Sequence, residues 1–326
     1  MLSIVVPILD EAESLGTLYN ELVAVAKTHE FDMQIIFVDD GSQDRSWQVV
    51  QQLASLDARV QGIRFRRNFG KAAALSAGFR AVRGDLVMTL DADLQDDPAE
   101  IPKFVDLMAH GFDVVSGWKK VRHDPWHKVV PSRVFNSLVS RLTGVKLHDH
   151  NCGMKCYRRS VIREVRLYGE LHRFVPVLAA ARGFRVGELV IEHRPRRYGH
   201  SKYGVERIAK GFLDLLTVKF LTGFGERPQH LLGGIGLASF LLGLMGLTYL
   251  AVYWIISRLS PTIEDIHLHQ GAALYYSLAL LIIGGQFLSV GLLGELITSR
   301  ICGDDESYSV LEVTITSPEH TPADAP

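Results

Sequence analysis

Apolar and polar positions change their period along this chain, and the change divides it. Up to about residue 192, short runs rich in β-branched and aromatic residues alternate with stretches in which apolar residues recur every three or four positions. Such alternation is the signature of βαβ units and parallel sheets. It predicts strands at 2–7, 33–39, 60–66, 85–91, 112–117, 153–158 and 184–192. Helices are predicted at 13–27, 44–56, 71–82 and 98–110, with Asp44 and Asp97 as N-terminal caps. No repeat or low-complexity segment interrupts the run, so one doubly wound α/β domain is expected.

A second pattern follows. No Asp, Glu, Lys or Arg lies between Arg227 and Arg258, and none between Asp265 and Glu295. Each stretch exceeds the roughly 20 residues that cross a bilayer core, so membrane spans are expected at 231–256 and 272–293. Two buried helices of a soluble protein are the alternative, which the scarcity of polar residues disfavours. Tyr249, Tyr253, Trp254, Tyr275 and Tyr276 fall near the shared end, as interfacial aromatics do. Lys219, Arg227 and Arg300 on the flanks outnumber Arg258 in the connecting loop, so the positive-inside rule expects both flanks in the cytosol.

Ahead of the hairpin, residues 205–224 place Ile208, Phe212, Leu215, Leu216 and Phe220 at helical spacing, opposed by Arg207, Lys210 and Lys219. This reads as a helix lying in the membrane interface. Residues 132–142 set Val134, Phe135, Leu138 and Val139 against Arg133 and Arg141, which fits either an interfacial helix or packing on the soluble domain. The expected organisation is a cytosolic domain at 1–204, a juxtamembrane amphipathic helix at 205–228, a transmembrane hairpin at 229–298 and a flexible cytosolic tail at 299–326. A short strand at 309–316 is expected within that tail.

Composition narrows the partners. An apolar content of 47% in 326 residues is ample for a core. The net charge of -1 conceals an Arg- and Lys-rich segment at 193–210 and an acidic, Pro-containing one at 303–326, so nucleic acid is not an expected partner. Three cysteines give no disulfide framework, and Cys152 and Cys156 lack a second Cys/His pair for zinc, so they read as reduced thiols. The chain enters its first strand without a basic segment and apolar core, so the first domain is expected to stay in the cytosol.

Candidate chemistry gathers where strands give way to helices, the edge at which doubly wound sheets hold ligands. Asp91-Ala92-Asp93-Leu94-Gln95 closes the run at 85–91. Strand side chains alternate, so Asp91 and Asp93 are expected to point the same way, and with Gln95 they suit Mg²⁺ or Mn²⁺ sharing its shell with a nucleotide diphosphate. A solvated strand end is the plain alternative. Carboxylates at Asp10, Glu11, Asp39 and Asp40 can accept hydrogen bonds from ribose or base, and Arg66, Arg67 and Lys71 can neutralise diphosphate at a helix start. No Walker A or strand-borne G-x-G-x-x-G is present; Gly234-Ile235-Gly236 falls within an expected span.

Four motifs in order make these segments specific. V-P-x-x-N-E appears as Val6-Pro7-Ile8-Leu9-Asp10-Glu11, with Asp for the usual Asn. V-D-D-G-S-x-D stands at 38–44, R-N-x-G-K at 67–71 and D-A-D-L-Q-D-x-P at 91–98. From residue 1 to about residue 300 the chain resembles the family 2 glycosyltransferases of GT-A fold. Within them it resembles the polyprenyl-phosphate glycosyltransferases typified by dolichyl-phosphate mannose synthase and bactoprenol glucosyltransferase. The resemblance implies a GT-A mixed sheet, nucleotide contacts from Pro7, Glu11, Asp39 and Lys71, joined by Asp40 and Asp91, and a metal held by Asp91, Asp93 and Gln95.

A looser match, Asp149-His150-Asn151-Cys152-Gly153-Met154-Lys155, puts Lys where relatives carry Arg and Met where they carry Phe. It makes Asp149, beside Asp93, the candidate catalytic residue, to orient donor or acceptor or to act as base, with His148 and His150 as rivals and a structural turn as the plain reading. The 193–204 segment resembles the family's basic G-x-S-K stretch. It suggests lipid-phosphate capture by Arg194, Arg196, Arg197, Ser201 and Lys202, with Arg173 from the 171–174 segment added. The implied activity is inverting transfer of one sugar, from UDP-glucose or GDP-mannose foremost, to undecaprenyl or dolichyl phosphate on the cytosolic leaflet of a plasma, inner or endoplasmic-reticulum-type membrane. A processive polysaccharide synthase is an alternative, but neither its extra spans nor Q-x-x-R-W is present. A non-catalytic nucleotide-sugar sensor is another, disfavoured by the intact aspartates. Association of copies through the hairpins is left open.

Overall fold

The structure, a computed structural model, describes residues 1–121, 126–165, 171–195, 206–224, 228–259 and 271–301. Seven strands form one sheet: β1 (Leu2–Ile8), β2 (Met33–Asp39), β3 (Val60–Arg64), β4 (Leu86–Thr89), β5 (Val114–Trp118), β6 (Lys155–Arg158) and β7 (Val186–Val190). Their order is β3-β2-β1-β4-β6-β5-β7. Helices follow as α1 (Ala12–Thr28), α2 (Ser46–Leu56), α3 (Lys71–Ala81), α4 (Ile101–Ala109), α5 (Trp126–Thr143), α6 (Arg159–Glu164), α7 (Val175–Ala181), α8 (Glu206–Phe224), α9 (Pro228–Leu259) and α10 (Ala272–Ile301).

The first half of the sheet is parallel, as the alternating pattern predicts: β1 pairs with β2 and β4, and β2 with β3. Both faces of β1 are covered, which is why it reads as a continuous apolar run. Ile4, Val6 and Ile8 pack with Leu15, Leu18 and Leu22 of α1, whereas Val5 packs with Ala74 and Leu75 of α3 on the other face. The second half departs from the parallel pattern, because β6 runs antiparallel to both β4 and β5 while β5 and β7 are parallel. Reversal of β6 carries the segment before it to the edge where β4 and β5 end.

Two local expectations are corrected. β4 stops at Thr89 and Asp91–Gln95 form a turn, so strand alternation does not orient Asp91 and Asp93. Helix α2 starts at Ser46 with Arg45 in the cap position; Asp44 instead accepts from the Ser46 N–H at 2.9 Å and the Ala12 N–H at 3.1 Å, tying two helix starts together. Asp97 does cap, accepting from the Ala99 N–H at 2.8 Å.

The chain forms two compact units that divide at residue 231. In the first, α5 and α8 pack on the sheet domain through Val139, Leu215 and Val218, which meet Leu171, Phe174 and Val177. The apolar stripe expected to face lipid is therefore split: Leu215 is buried, whereas Phe212 and Leu216 stay exposed. Residues 132–142 divide likewise, with Val139 buried and Val134 exposed. The Ile208, Arg207 and Lys210 side chains and the tail strand lie outside what is described.

In the second unit, Gln229–Leu259 and Ala272–Ile297 are long and apolar enough to cross a membrane. Only 11% and 17% of their most apolar windows is buried, unlike core helices of a soluble protein. Small residues bring the two backbones together: a β-carbon at Gly243 would lie 2.7 Å from the Ser277 carbonyl oxygen.

Candidate active site

At the C-terminal ends of β1 and β2, carboxylates are consumed by neighbouring main-chain N–H groups. Asp10 adopts φ 55°, a left-handed conformation that Asn and Asp tolerate better than other side chains. Its Oδ1 accepts from the Gln43 N–H at 2.8 Å, and its own N–H donates to Ser42 Oγ at 3.0 Å. Asp can thus stand where the V-P-x-x-N-E pattern has Asn. Asp39 is fully buried; Oδ1 accepts from the Ser42 N–H at 2.8 Å and Oδ2 lies 3.3 Å from Arg64 Nε. Pro7 and Glu11 flank the same turn, and the Glu11 N–H donates to Ser46 Oγ at 2.9 Å.

Asp40 ties this turn to the next. It accepts from the N–H groups of Phe69 at 2.7 Å and Gly70 at 2.9 Å, and burial pushes its carboxyl up against the pull of those two donors. The geometry makes it a brace for the 66–71 loop. Gly41 is required beneath, since a β-carbon there would sit 2.5 Å from the Arg67 carbonyl carbon. The loop delivers Lys71 to the first turn of α3, where its ammonium bonds the Asp91 carboxylate.

Asp91 is the hub. Burial alone would raise its carboxyl, but Lys71, and more weakly Lys119 and His172, draw it down to about 2. The chain then turns through Leu94, whose positive φ of 59° is strained for a branched side chain and is held by burial of that side chain. Asp93 Oδ1 accepts from the Gln95 N–H at 3.2 Å. Asp96 is buried against Lys119 at 2.6 Å; burial pulls that ammonium down, and the surrounding groups, Asp96 foremost with Cys152 and Asp91, together more than offset it, so Lys119 stays charged. No group of three or more His, Cys, Asp or Glu side chains able to hold a metal occurs among the described residues. A turn bearing two carboxylates and an amide oxygen fits a hard cation of the Mg²⁺ type, which takes one or two carboxylates and completes its shell with phosphate oxygens and water.

The Asp149 segment reaches the same place. Since β6 is antiparallel, the loop before it returns to the end of β4, and Gly153 lies flat on Asp91: a β-carbon there would meet Asp91 Oδ2 at 2.5 Å. Thr89 Oγ1 donates to the Gly153 carbonyl at 2.7 Å. Asp149 is buried and its Oδ1 accepts from the Asn151 N–H at 3.0 Å. His148 stacks on Trp118 with ring centroids 4.0 Å apart and bonds Glu188 at 2.7 Å. His150 is buried beside Ser140 Oγ at 3.1 Å, and burial, helped by Lys155, lowers it to about 4. Cys152 and Cys156 are free thiols, pushed up to about 12 by burial.

Of the cations read as lipid-phosphate ligands, Arg173 is buried on the short turn Leu171–Phe174, within the α5–α7–α8 side of the domain. Arg194 is engaged otherwise: it bonds Glu21 at 2.8 Å and Asp97 at 2.6 Å, and its N–H donates to the Gln95 carbonyl at 2.9 Å. Two carboxylates take its guanidinium, so it straps the chain onto the turn after Asp93. Arg196, Arg197, Ser201 and Lys202 lie outside the described residues. Sequence reading passed over Lys119 and Glu188 and gave Lys155 no role. A charged residue inside a strand-like apolar run was the available signal for Glu188 and Lys155.

These turns gather acidic and basic side chains on one edge of a mixed sheet. The chain belongs to glycosyl transferase family 2, whose model matches residues 3–166. It is a glycosyltransferase. The dodecaprenyl-phosphate galacturonate synthase of Rhizobium johnstonii is 37% identical over 94% of this chain and 90% of its own length. The undecaprenyl-phosphate 4-deoxy-4-formamido-L-arabinose transferase of Edwardsiella ictaluri is 35% identical over 93% and 90%. Among solved structures, glucosyl-3-phosphoglycerate synthase from Mycobacterium tuberculosis, in complex with Mn²⁺, uridine diphosphate and phosphoglyceric acid, superposes with a TM-score of 0.53. That match has 15% identity over 68% of this chain and 78% of that one, and establishes the shared fold. The apolar helices and these relatives make the protein membrane-associated.

Proposed function

We propose that this enzyme transfers a single sugar from a nucleotide-diphosphate donor to a polyprenyl phosphate at the cytosolic face of a membrane, with inversion at the anomeric carbon. The observation that carries the reading is the meeting at Asp91, which has Lys71 of the donor-side loop on it and Gly153 of the Asp149 loop against it. Relatives named for dodecaprenyl- and undecaprenyl-phosphate products, and two exposed apolar helices, support the lipid acceptor. The basic flanks of those helices support the cytosolic orientation.

In this reading Pro7, Glu11 and Asp39 hold the nucleotide and Lys71 meets its diphosphate, while Asp40 fixes the loop that carries Lys71. Asp91, Asp93 and Gln95 are the donors for Mg²⁺ or Mn²⁺, which when bound neutralises charge on the departing diphosphate. The acceptor phosphate is already ionised, so Asp149 has little to deprotonate and serves to orient. Arg173, Arg196, Arg197, Ser201 and Lys202 receive the lipid phosphate. UDP-glucose and GDP-mannose remain candidate donors, and the relatives' names add galacturonate and 4-deoxy-4-formamido-L-arabinose donors.

The test is purified full-length protein in vesicles holding undecaprenyl phosphate, offered each donor in turn, with lipid products weighed by mass spectrometry. One glycosylated phospholipid, with matching nucleotide diphosphate release that stops on chelation, is expected. Absence of product with every donor overturns the reading, and full activity under chelator overturns the metal.

A further inference from the structure

Residues 147–154 have no regular secondary structure until β6 begins, yet most of their carbonyls and several of their N–H groups are hydrogen-bonded. Ser140 Oγ donates to the Leu147 carbonyl at 2.9 Å, Asn136 Nδ2 to that of His148 at 3.0 Å, and Ser116 Oγ to that of Asp149 at 3.4 Å. The Gly117 N–H donates to the Met154 carbonyl at 2.9 Å. Two charged side chains from different strands take four further groups. Lys155 on β6, 3% exposed, donates from Nζ to the carbonyls of His150 at 3.2 Å and Cys152 at 2.5 Å. Glu188 on β7 accepts at Oε1 from the N–H groups of His148 at 2.8 Å and Asp149 at 3.0 Å, and at Oε2 from the His148 ring.

Burying an ammonium costs several kcal/mol unless its donors are used, and here they are used on one short loop. Burial leaves Lys155 near 8, yet even the neutral amine keeps two N–H donors, the number of carbonyls it serves. Charge-assisted bonds at both ends of the loop fix it more stiffly than neutral ones. The loop needs such stiffness because Gly153 lies directly on the Asp91 carboxylate, so any drift of the loop moves the Asp91–Lys71 pair or opens a gap above it.

We infer that Lys155 and Glu188 are positioning residues that clamp the Asp149 loop, Lys155 through its carbonyls and Glu188 through its N–H groups, and so set the geometry between Asp149 and the Asp91 turn. This rests on the assignment of the Asp149 loop to the transfer reaction. Displacement of a reacting group by about 1 Å costs on the order of 100-fold in rate, so the clamp acts on kcat and leaves donor binding alone.

The experiment pairs hydrogen–deuterium exchange with steady-state transfer for Lys155→Met, Glu188→Ala and Glu188→Gln. Lys155→Met preserves much of the side-chain volume, and Glu188→Gln retains an oxygen able to accept both N–H groups. Exchange at 148–153 is expected to rise in Lys155→Met and Glu188→Ala, with β1–β3 unchanged. Their kcat is expected to fall about 10- to 100-fold at donor KM within about twofold, and Glu188→Gln to recover most of both. Should Lys155→Met fail to fold, the two Glu188 variants decide alone. Unchanged exchange at 148–153 in folded variants overturns the clamp. Faster exchange there with transfer at the wild-type rate upholds the clamp and overturns the assignment of this loop to the chemistry.

Discussion

The two halves of the sheet hold their functional turns in different ways. On the β1–β4 side, Asp10, Asp39 and Asp44 accept from N–H groups in the turns beside them, and Asp40 from the next loop. On the β5–β7 side, the Asp149 loop is held by Glu188, some 39 residues further along, and by the buried amine of Lys155. The first arrangement uses carboxylates on main-chain N–H groups of their own and adjoining turns. The second spends buried charge on a loop with no regular structure, so it is stiff in place and costly to disturb. One side is held by carboxylates that take N–H groups of adjoining turns, the other by an amine and a carboxylate that take the carbonyls and N–H groups of a single loop.

The sharpest way to break this contrast is to remove a carboxylate that the proposed function places on the metal. Asp93→Ala is expected to lower transfer by at least about 10²- to 10³-fold with the thermal midpoint little changed, checked by product formation and calorimetry. Retained transfer would move the diphosphate site away from the turn after β4. Asp40→Ala comes next: it leaves the Phe69 and Gly70 N–H groups without their acceptor and should cost about 1–3 kcal/mol in denaturant unfolding. Donor KM should rise more than kcat falls, because the loop that carries Lys71 loosens.

On the other side, His150 supplies a pH signature. Its folded value of about 4 lies below the ordinary 6.5, so the unfolded chain binds the proton first and stability falls as pH drops from about 6.5 through 4. The loss is about 3 kcal/mol and should be absent in His150→Asn. Asp91 is depressed from 3.8 to about 2, so its contribution is lost only below that window. Unfolding midpoints measured between pH 7 and 4 separate the two. The smallest effect is expected for Asp10→Asn, within about 0.5 kcal/mol, since Asn adopts the same left-handed conformation and keeps an acceptor for the Gln43 N–H.

Legibility followed the same divide. The strands of the parallel half, the D-D-G-S turn, the loop before Lys71 and the D-A-D-L-Q turn were readable because each function sits within a few consecutive residues. Strand alternation was the wrong reason for pairing Asp91 with Asp93, because β4 ends at Thr89 before either is reached. Arg194 read as a phosphate ligand since a basic run looks alike whether its members face lipid or carboxylates; Glu21, from α1, decided otherwise. The stripe of the 205–224 helix was real in period, but the sheet domain takes Leu215 and Val218 and leaves Phe212 and Leu216 outside.

By itself the sequence determined the α/β alternation, the motifs at the strand ends and the two apolar helices, because turn capping and bilayer thickness act over short, contiguous stretches. Tertiary structure alone decided that β6 runs backward, that Gly153 lies on Asp91, and that Lys155 and Glu188 grip the loop between them. Apart from the Lys155 bonds, those contacts join residues far apart in the chain. A carboxylate that satisfies a main-chain N–H 39 residues earlier leaves no periodic trace in the sequence, and only the folded sheet brings the two together.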